Sequence, residues 1–235
     1  MKMYDYNSEG ILRHFVDRTF DEMHGITAAF ITLNEEDNIS EAIKAVRPYV
    51  KRVVVIDGGS NDKTVEVATD IADYVSVITF PCHYGQQKNN ALRVCNTDWV
   101  LFLDADEKLT NKLANGLKAM TDQDEYDCYA FPRIEMIDGV EYPEVYPDYQ
   151  IKLFKTYCRF VRPVHEEVVG FKNKKDVDIN TDMDIIHSKK LDRHIERNGA
   201  YGHYVHHYCH ETGLPGKQTR ETFVMPIVLK EVGDE

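Results

Sequence analysis

No apolar run in the sequence approaches the ~20 residues that a helical membrane span requires, and the opening residues Met1-Lys2-Met3-Tyr4-Asp5-Tyr6 lack the apolar segment of a secretory signal. Both absences point to a cytoplasmic protein. Cysteine is scarce: Cys82, Cys95, Cys128, Cys158 and Cys209 are odd in number, widely spaced and without a Cys-x-x-Cys pair. That pattern argues against a disulfide framework and a cysteine zinc site, and favours reduced, mostly structural thiols. There is no Gly-x-Gly-x-x-Gly and no glycine-rich loop ending in Gly-Lys-Ser/Thr, so dinucleotide-binding and ATPase readings lose their support. Basic charge is short as well, with 28 Lys and Arg against 40 Asp and Glu. Without a recognisable nucleic-acid module, affinity for phosphate backbones would have to be local.

What remains is a chain of 235 residues, 43% hydrophobic, enough for one large α/β domain with an appended part. Its charge is unevenly distributed. Residues 1–150 carry 14 Lys and Arg against 27 Asp and Glu, whereas residues 151–220 carry 13 against 9 and hold seven of the ten histidines. The later section is therefore the better face for an anionic ligand or acceptor.

The stretch that organises the rest is Trp99-Val100-Leu101-Phe102-Leu103-Asp104-Ala105-Asp106-Glu107, an apolar strand ending in three carboxylates. Open α/β sheets bind ligands at the C-terminal ends of their strands, so these acids mark a site for something cationic. Alternation puts Asp104 and Asp106 on one side of an extended chain and turns Ala105 away. Both acids can reach one hard divalent cation, or a cation and a sugar hydroxyl.

Upstream, Ile11, Leu12, Phe15, Val16, Phe20 and Met23 have the spacing of one amphipathic helix over residues 1–24. Strands are predicted over 25–33, 53–56 and 74–80, each followed by a polar loop and a helix. The loops are Asn34-Glu35-Glu36-Asp37-Asn38 and Asp57-Gly58-Gly59-Ser60-Asn61-Asp62-Lys63-Thr64, and the third helix holds Lys88 near its N-terminus. A cation there is oddly placed unless an anionic phosphate lies nearby. Repeated strand, loop and helix units predict a mostly parallel central sheet with helices on both faces.

Leu33-Asn34-Glu35, Asp57 to Thr64, Gln87-Lys88-Asn89 and Leu103-Asp104-Ala105-Asp106-Glu107 together resemble, in order and spacing, family 2 glycosyltransferases of the GT-A fold. Leu153-Phe154-Lys155 and Val164-His165-Glu166 resemble a subgroup of that family and extend the likeness to about residue 190. The resemblance implies a donor site of Asn34, Glu35, Asp57, Gly58, Lys88, Asp104 and Ala105 for a nucleotide-diphosphate sugar, with uridine the default base. Glu35 would lie at the base and ribose, Asp57 would accept from the base, and Lys88 would lie near the donor. Asp104 would face the ribose or the metal, and Asp106 would bind Mn²⁺ or Mg²⁺. His187 would complete the metal site, with His165 as the alternative.

Glu166 is the candidate general base of an inverting transfer, ahead of His165 and Glu167, because in a strand His165 and Glu166 point to opposite faces. Residues 135–149, rich in tyrosine, proline and acids, suit a loop that shapes an acceptor pocket, with Tyr142, Tyr146 and Tyr149 placed to stack or to pack. From Lys189 to about His210 the pattern is helical, and His203, His206, His207 and His210 share one polar face. The apolar segment 223–229 would dock on the body, cover the acceptor site or contact a second subunit as a homodimer.

The expected organisation is thus an extension over 1–24, a nucleotide-sugar part over 25–110, an acceptor part over 111–190, and a C-terminal helical extension with a tail over 191–235. The acceptor stays open among a saccharide, a lipid-linked saccharide and a hydroxylated nucleic-acid base. Two rivals are a nucleotidyltransferase, disfavoured because its first loop would be basic and glycine-rich, and a non-catalytic protein that binds sugar nucleotides.

Overall fold

In the computed structural model the described residues are 3–6, 12–15 and 23–191. The four clustered histidines of the predicted helix and the apolar tail lie outside the described residues. At the other end, Met3–Tyr6 (β1) and Leu12–Phe15 (β2) pair as antiparallel strands, where a helix over 1–24 is predicted. The sequence between them, Asn7-Ser8-Glu9-Gly10, has turn composition, which outweighs a helical spacing of apolar residues.

The α/β repeat then follows as expected: β3 (Met23–Thr32), α1 (Ile39–Val46), β4 (Arg52–Asp57), α2 (Thr64–Ile71), β5 (Tyr74–Val77), α3 (Tyr84–Leu92) and β6 (Thr97–Leu103). Strands β5, β4, β3 and β6 lie side by side in that order and all run parallel. Parallel neighbours need crossovers, which the three helices supply.

The second part consists of β7 (Glu107–Leu109), α4 (Asn111–Thr121), β8 (Cys128–Ile137), β9 (Val140–Glu141), β10 (Asp148–Lys155), β11 (Arg159–Val161), β12 (Glu167–Val169), β13 (Lys174–Asp176) and β14 (Ile185–Lys189). It extends the same sheet past β6 in the order β10, β8, β14, β7. Here β10 is antiparallel to both β6 and β8, while β14 is parallel to β8. Strands β11 and β12 form a separate hairpin.

Alternation along β6 explains why its whole run is apolar. Trp99, Leu101 and Leu103 enter one core with residues of α1, α2 and α4. Val100 and Phe102 enter the other, with α3 and the β11–β12 hairpin. A strand covered on both faces reads as a continuous hydrophobic run, and each large side chain so buried contributes about 1.5–3 kcal/mol. The helices on both faces that the sequence predicts are therefore present.

Two further predicted segments differ. Strand β8 runs on to Ile137 and turns through Asp138 and Gly139, both at positive φ, onto β9. Asp-Gly is a strong hairpin signal, and it shortens the expected 135–149 loop to residues 142–147. Second, His165 and Glu166 lie in the connection between β11 and β12 rather than in a strand, with Arg162 at φ 74° and His165 at φ 51°. The strand-alternation reason for choosing Glu166 over His165 therefore does not hold.

Candidate active site

At the C-terminal ends of β3 and β4, two loops are joined by side chains that bond to backbone. Asn34 N donates to Ser60 Oγ over 2.8 Å, Asn61 N to Asn34 Oδ1 over 3.0 Å, and Lys63 N to Glu36 Oε2 over 2.9 Å. Asp57 is fully buried and serves this turn: its Oδ1 accepts from Gly59 N and Ser60 N, its Oδ2 from Thr32 Oγ1 and Ser60 Oγ. Four donors match the lone-pair sites of one carboxylate. The residue expected to accept from the base is thus occupied in shaping the loop. Gly58 is needed for close approach, since a Cβ there would meet Phe80 Cβ and the Thr32 carbonyl at 3.3 Å. Glu35 is buried beside them and accepts from Asn38 Nδ2 at 2.9 Å.

After β6 the acids separate. Ala105 turns into the core, as expected. Glu107 is 0% exposed; its Oε2 accepts from Asp104 N over 3.0 Å, which closes the turn. The cation for this turn is Lys152 of β10, the strand beside β6, only 5% exposed, with Nζ 2.5 Å from Glu107 Oε2 and 3.3 Å from Asp104 Oδ2. Burial alone would raise the Asp104 pKa, but Lys152 first, then Lys88, His187 and Arg133, outweigh it and hold the carboxyl well below its ordinary range. Burial would likewise lower the Lys152 pKa, and the Asp104 and Glu107 carboxylates hold it above its usual value.

Asp106 faces the other way, toward β14. Its Oδ1 is 3.3 Å from His187 Nε2, and its carbonyl accepts from Ser188 N over 2.9 Å. Behind the imidazole, Nδ1 lies 2.9 Å from Glu135 Oε1, and Glu135 also meets Arg133 Nε and Lys189 Nζ at 2.9 Å each. Burial opposes the charged form of Glu135, yet His187, Arg133 and Lys189 together bring its pKa down to about 2. A carboxylate on one ring nitrogen is how metal-ligating histidines are usually held, and the other nitrogen of His187 faces Asp106. Asp106 and His187 therefore fit as two ligands of a divalent cation. Asp104, expected beside them, has its Oδ2 against Lys152. Among the described residues, no group of three or more His, Cys, Asp and Glu side chains is placed to hold an ion by itself.

Glu166 is brought in from the β11–β12 connection. Asn89 of α3 exchanges bonds with Phe160 of β11, its Nδ2 donating to the carbonyl over 2.8 Å and its Oδ1 accepting from the amide over 2.9 Å. Tyr84 N donates to the Pro163 carbonyl over 2.8 Å, and Gly85 lets the backbones approach: a Cβ there would lie 2.5 Å from Arg162 O. These ties set Glu166 in an ion pair with Lys88, whose ammonium lies 5.5 Å from the Phe102 ring centroid and 5.2 Å from that of Phe160. Lys88 and Glu166 open onto a cleft of about 380 Å³, also lined by Phe102, Tyr149, Gln150, Lys152, Phe160 and Phe171. With Glu167 and Lys174 also on the lining, two carboxylates, three ammonium groups and aromatic faces surround one space, which suits a polar ligand with apolar ring faces. Tyr149 is there, as the sequence suggests, whereas Tyr146 donates to Asp184 Oδ1 over 2.9 Å and packs the chain.

Three charged residues are absent from the sequence reading of the site, Arg133, Glu135 and Lys152, and Glu107, named there among the three carboxylates, carries no role of its own. The available signal is a charge inside an apolar strand, as in Ile151-Lys152-Leu153-Phe154, because a buried charge implies a partner.

Residues 27–178 match the family described as Glycosyl transferase family 2. Over 162 residues the chain is 32% identical to an uncharacterized glycosyltransferase of Rickettsia bellii, covering 65% of this chain and 54% of that protein. A second, from Rickettsia typhi, is 30% identical over 173 residues, 72% of this chain and 56% of the relative. The chain thus spans about half the length of these curated relatives. Among solved structures, S. aureus TarS 1–349 in complex with UDP-GlcNAc superposes with a TM-score of 0.54 at 17% identity, over 71% of this chain and 59% of that one; the likeness is one of fold. The chain belongs to glycosyltransferase family 2, and its fold is GT-A. Among the described residues, no helix is long and apolar enough to cross a membrane.

Proposed function

We propose that the protein transfers a sugar from a nucleotide-diphosphate sugar, with UDP as the nucleotide, to an acceptor hydroxyl with inversion, and that Glu166 is the general base. The observation that carries this reading is the convergence of Lys88 and Glu166, 78 residues apart in sequence, on the cleft that Lys152 shares. The donor lies along the loops after β3 and β4, with Asn34, Glu35, Asp57 and Gly58 forming its nucleotide wall and Asp104 and Ala105 at the sheet end. UDP is chosen because TarS, which shares the fold, was solved with UDP-GlcNAc.

In this mechanism the acceptor hydroxyl attacks the anomeric carbon, the bond to the diphosphate breaks, and the Glu166 carboxylate takes the hydroxyl proton. Lys88 shifts its ammonium between Glu166 and the departing phosphate. Asp106 and His187 would hold Mn²⁺ or Mg²⁺, which when bound supplies positive charge to the leaving diphosphate. The aromatic faces of Phe102, Phe160 and Phe171 exclude water, the competing acceptor. The acceptor is a sugar-like polyol, free or lipid-linked, since the lysines that line the cleft already pair with carboxylates.

The test is thermal stabilisation by a panel of nucleoside diphosphates, with and without Mn²⁺, on wild type and Asp106→Ala. A ligand at 100 times its Kd stabilises by about 2.7 kcal/mol. Stabilisation by UDP that needs both Mn²⁺ and Asp106 is the expected result. Stabilisation indifferent to both, or none with any diphosphate, overturns the donor and metal assignments.

A further inference from the structure

We infer that Lys152 is a built-in counter-ion that keeps Asp104 and Glu107 from serving a divalent cation on their own, so that the cation enters the site only together with the donor's diphosphate. This rests on the donor reading above and adds to it an order of assembly and a residue that enforces it. The starting observation is a lysine nearly without exposure, in the strand next to the acid turn, touching two of its three carboxylates. Its strand runs between β6 and β8, with Lys152 at the irregularity between Ile151 and Leu153, and the side chain is nearly buried against the two carboxylates.

The charges around the turn are then close to balanced before any cation arrives. Asp104, Glu107 and Glu135 face Lys152, Arg133 and Lys189 at 2.5–3.5 Å. A hard divalent ion gains its affinity from carboxylates whose charge is not already neutralised. One bound through Asp104 would sit next to the Lys152 ammonium and be repelled by it. Asp106 and His187 remain as protein donors, too few to hold Mn²⁺ tightly. A diphosphate supplies what is missing, negative charge and oxygen ligands, and Lys152 lines the cleft into which it would extend. Binding energies are reciprocal, so the same coupling makes donor binding depend on the metal.

The experiment measures Mn²⁺ binding to the full chain by electron paramagnetic resonance of the free ion, with and without UDP, so that no turnover is needed. For wild type, Mn²⁺ alone binds at least tenfold more weakly than Mn²⁺ with UDP. In Lys152→Met the affinity for Mn²⁺ alone rises at least tenfold and its dependence on UDP shrinks. Lys152→Arg, which keeps the charge, behaves as wild type, and adding Asp104→Asn to Lys152→Met reverses the gain. If Lys152→Met does not fold, because buried Glu107 is left with Arg133 at 3.5 Å alone, the double variant Lys152→Met with Glu107→Gln carries the same expectation through Asp104. Wild type that takes up Mn²⁺ and UDP together, but binds Mn²⁺ alone equally well, overturns the counter-ion role and leaves the donor reading intact. So does unchanged Mn²⁺ affinity in the folded Met variant. Wild type that takes up no UDP in the presence of Mn²⁺ overturns the donor reading, and this inference with it.

Discussion

The two halves of the sheet hold their carboxylates by different means. In the loops after β3 and β4 the acids are held mainly by backbone amides: Asp57 by two amides and the Ser60 hydroxyl of its own turn, with the Thr32 hydroxyl of β3, Asp62 by Thr64 and by Glu36 N, Glu36 by Lys63 N. Between β8 and β14 they are held by charged side chains from other strands: Glu107 by Lys152 and Arg133, Glu135 by Arg133 and Lys189, Glu166 by Lys88 of a helix. Backbone donors are fixed by the fold and cannot be mutated away, so that half is tolerant. Lys152 serves two acids and Arg133 three, so removing either exposes several. The tolerant half carries the proposed nucleotide wall, and the vulnerable half carries the proposed base and metal ligands.

The largest expected effect is on chemistry in the vulnerable half. Glu166→Gln keeps an oxygen for Lys88 but cannot accept a proton, so kcat falls by roughly 10²–10⁴, read as transfer to a competent acceptor, while UDP affinity stays as in wild type. A fall in UDP affinity with kcat unchanged would move Glu166 from the base to the donor wall.

Next in size is the stability of the charge network. Arg133 contacts Glu135 at 2.9 Å, Asp148 at 2.6 Å and Glu107 at 3.5 Å. Arg133→Met leaves two buried carboxylates short of a cation and should cost about 3–5 kcal/mol, measured by urea unfolding at neutral pH. A cost under about 1 kcal/mol, the size of an exposed pair, would show that the network is not what holds this half.

The same contrast decides what could be read from the sequence. Asp57 and Asp62 lie two or three residues from amides they bind in the turn to Thr64, so that motif and its loop are legible together, whereas Asn34 meets Asn61 across 27 residues. Strands β3 to β6 are legible because burial on both faces leaves uninterrupted apolar runs. The network is assembled from pairs such as His187 and Glu135, 52 residues apart, or Lys152 and Glu107, 45 apart, and spacing carries no trace of such pairs. Glu135 reads as a loop residue because tyrosines and prolines follow it, although the Asp138-Gly139 hairpin makes it a strand residue. Family resemblance points to His187 but not to the carboxylate behind it. The strand alternation that favours Glu166 over His165 does not exist there; Asn89, Gly85 and Tyr84, which hold the loop against α3, are the physical cause of its position.

The smallest expected effect tests the tolerant half where it looks most dependent on a charge. Asp57 is fully buried and accepts four hydrogen bonds, and losing a buried ion pair member would be severe. Here, however, every partner is neutral. In Asp57→Asn the remaining oxygen still accepts from Gly59 N and Ser60 N, and the new amide can donate to Thr32 Oγ1 and Ser60 Oγ, because a hydroxyl accepts as readily as it donates. What is lost is the charge assistance of these bonds, about 1 kcal/mol, and the loss should be indifferent to salt, since no ion pair is broken. Urea unfolding of Asp57→Asn beside Arg133→Met, at low and high salt, measures both. If Asp57→Asn costs as much as Arg133→Met, the carboxylate charge itself holds the turn, and the division of the sheet into a backbone-held and a charge-held half fails at its most buried acid.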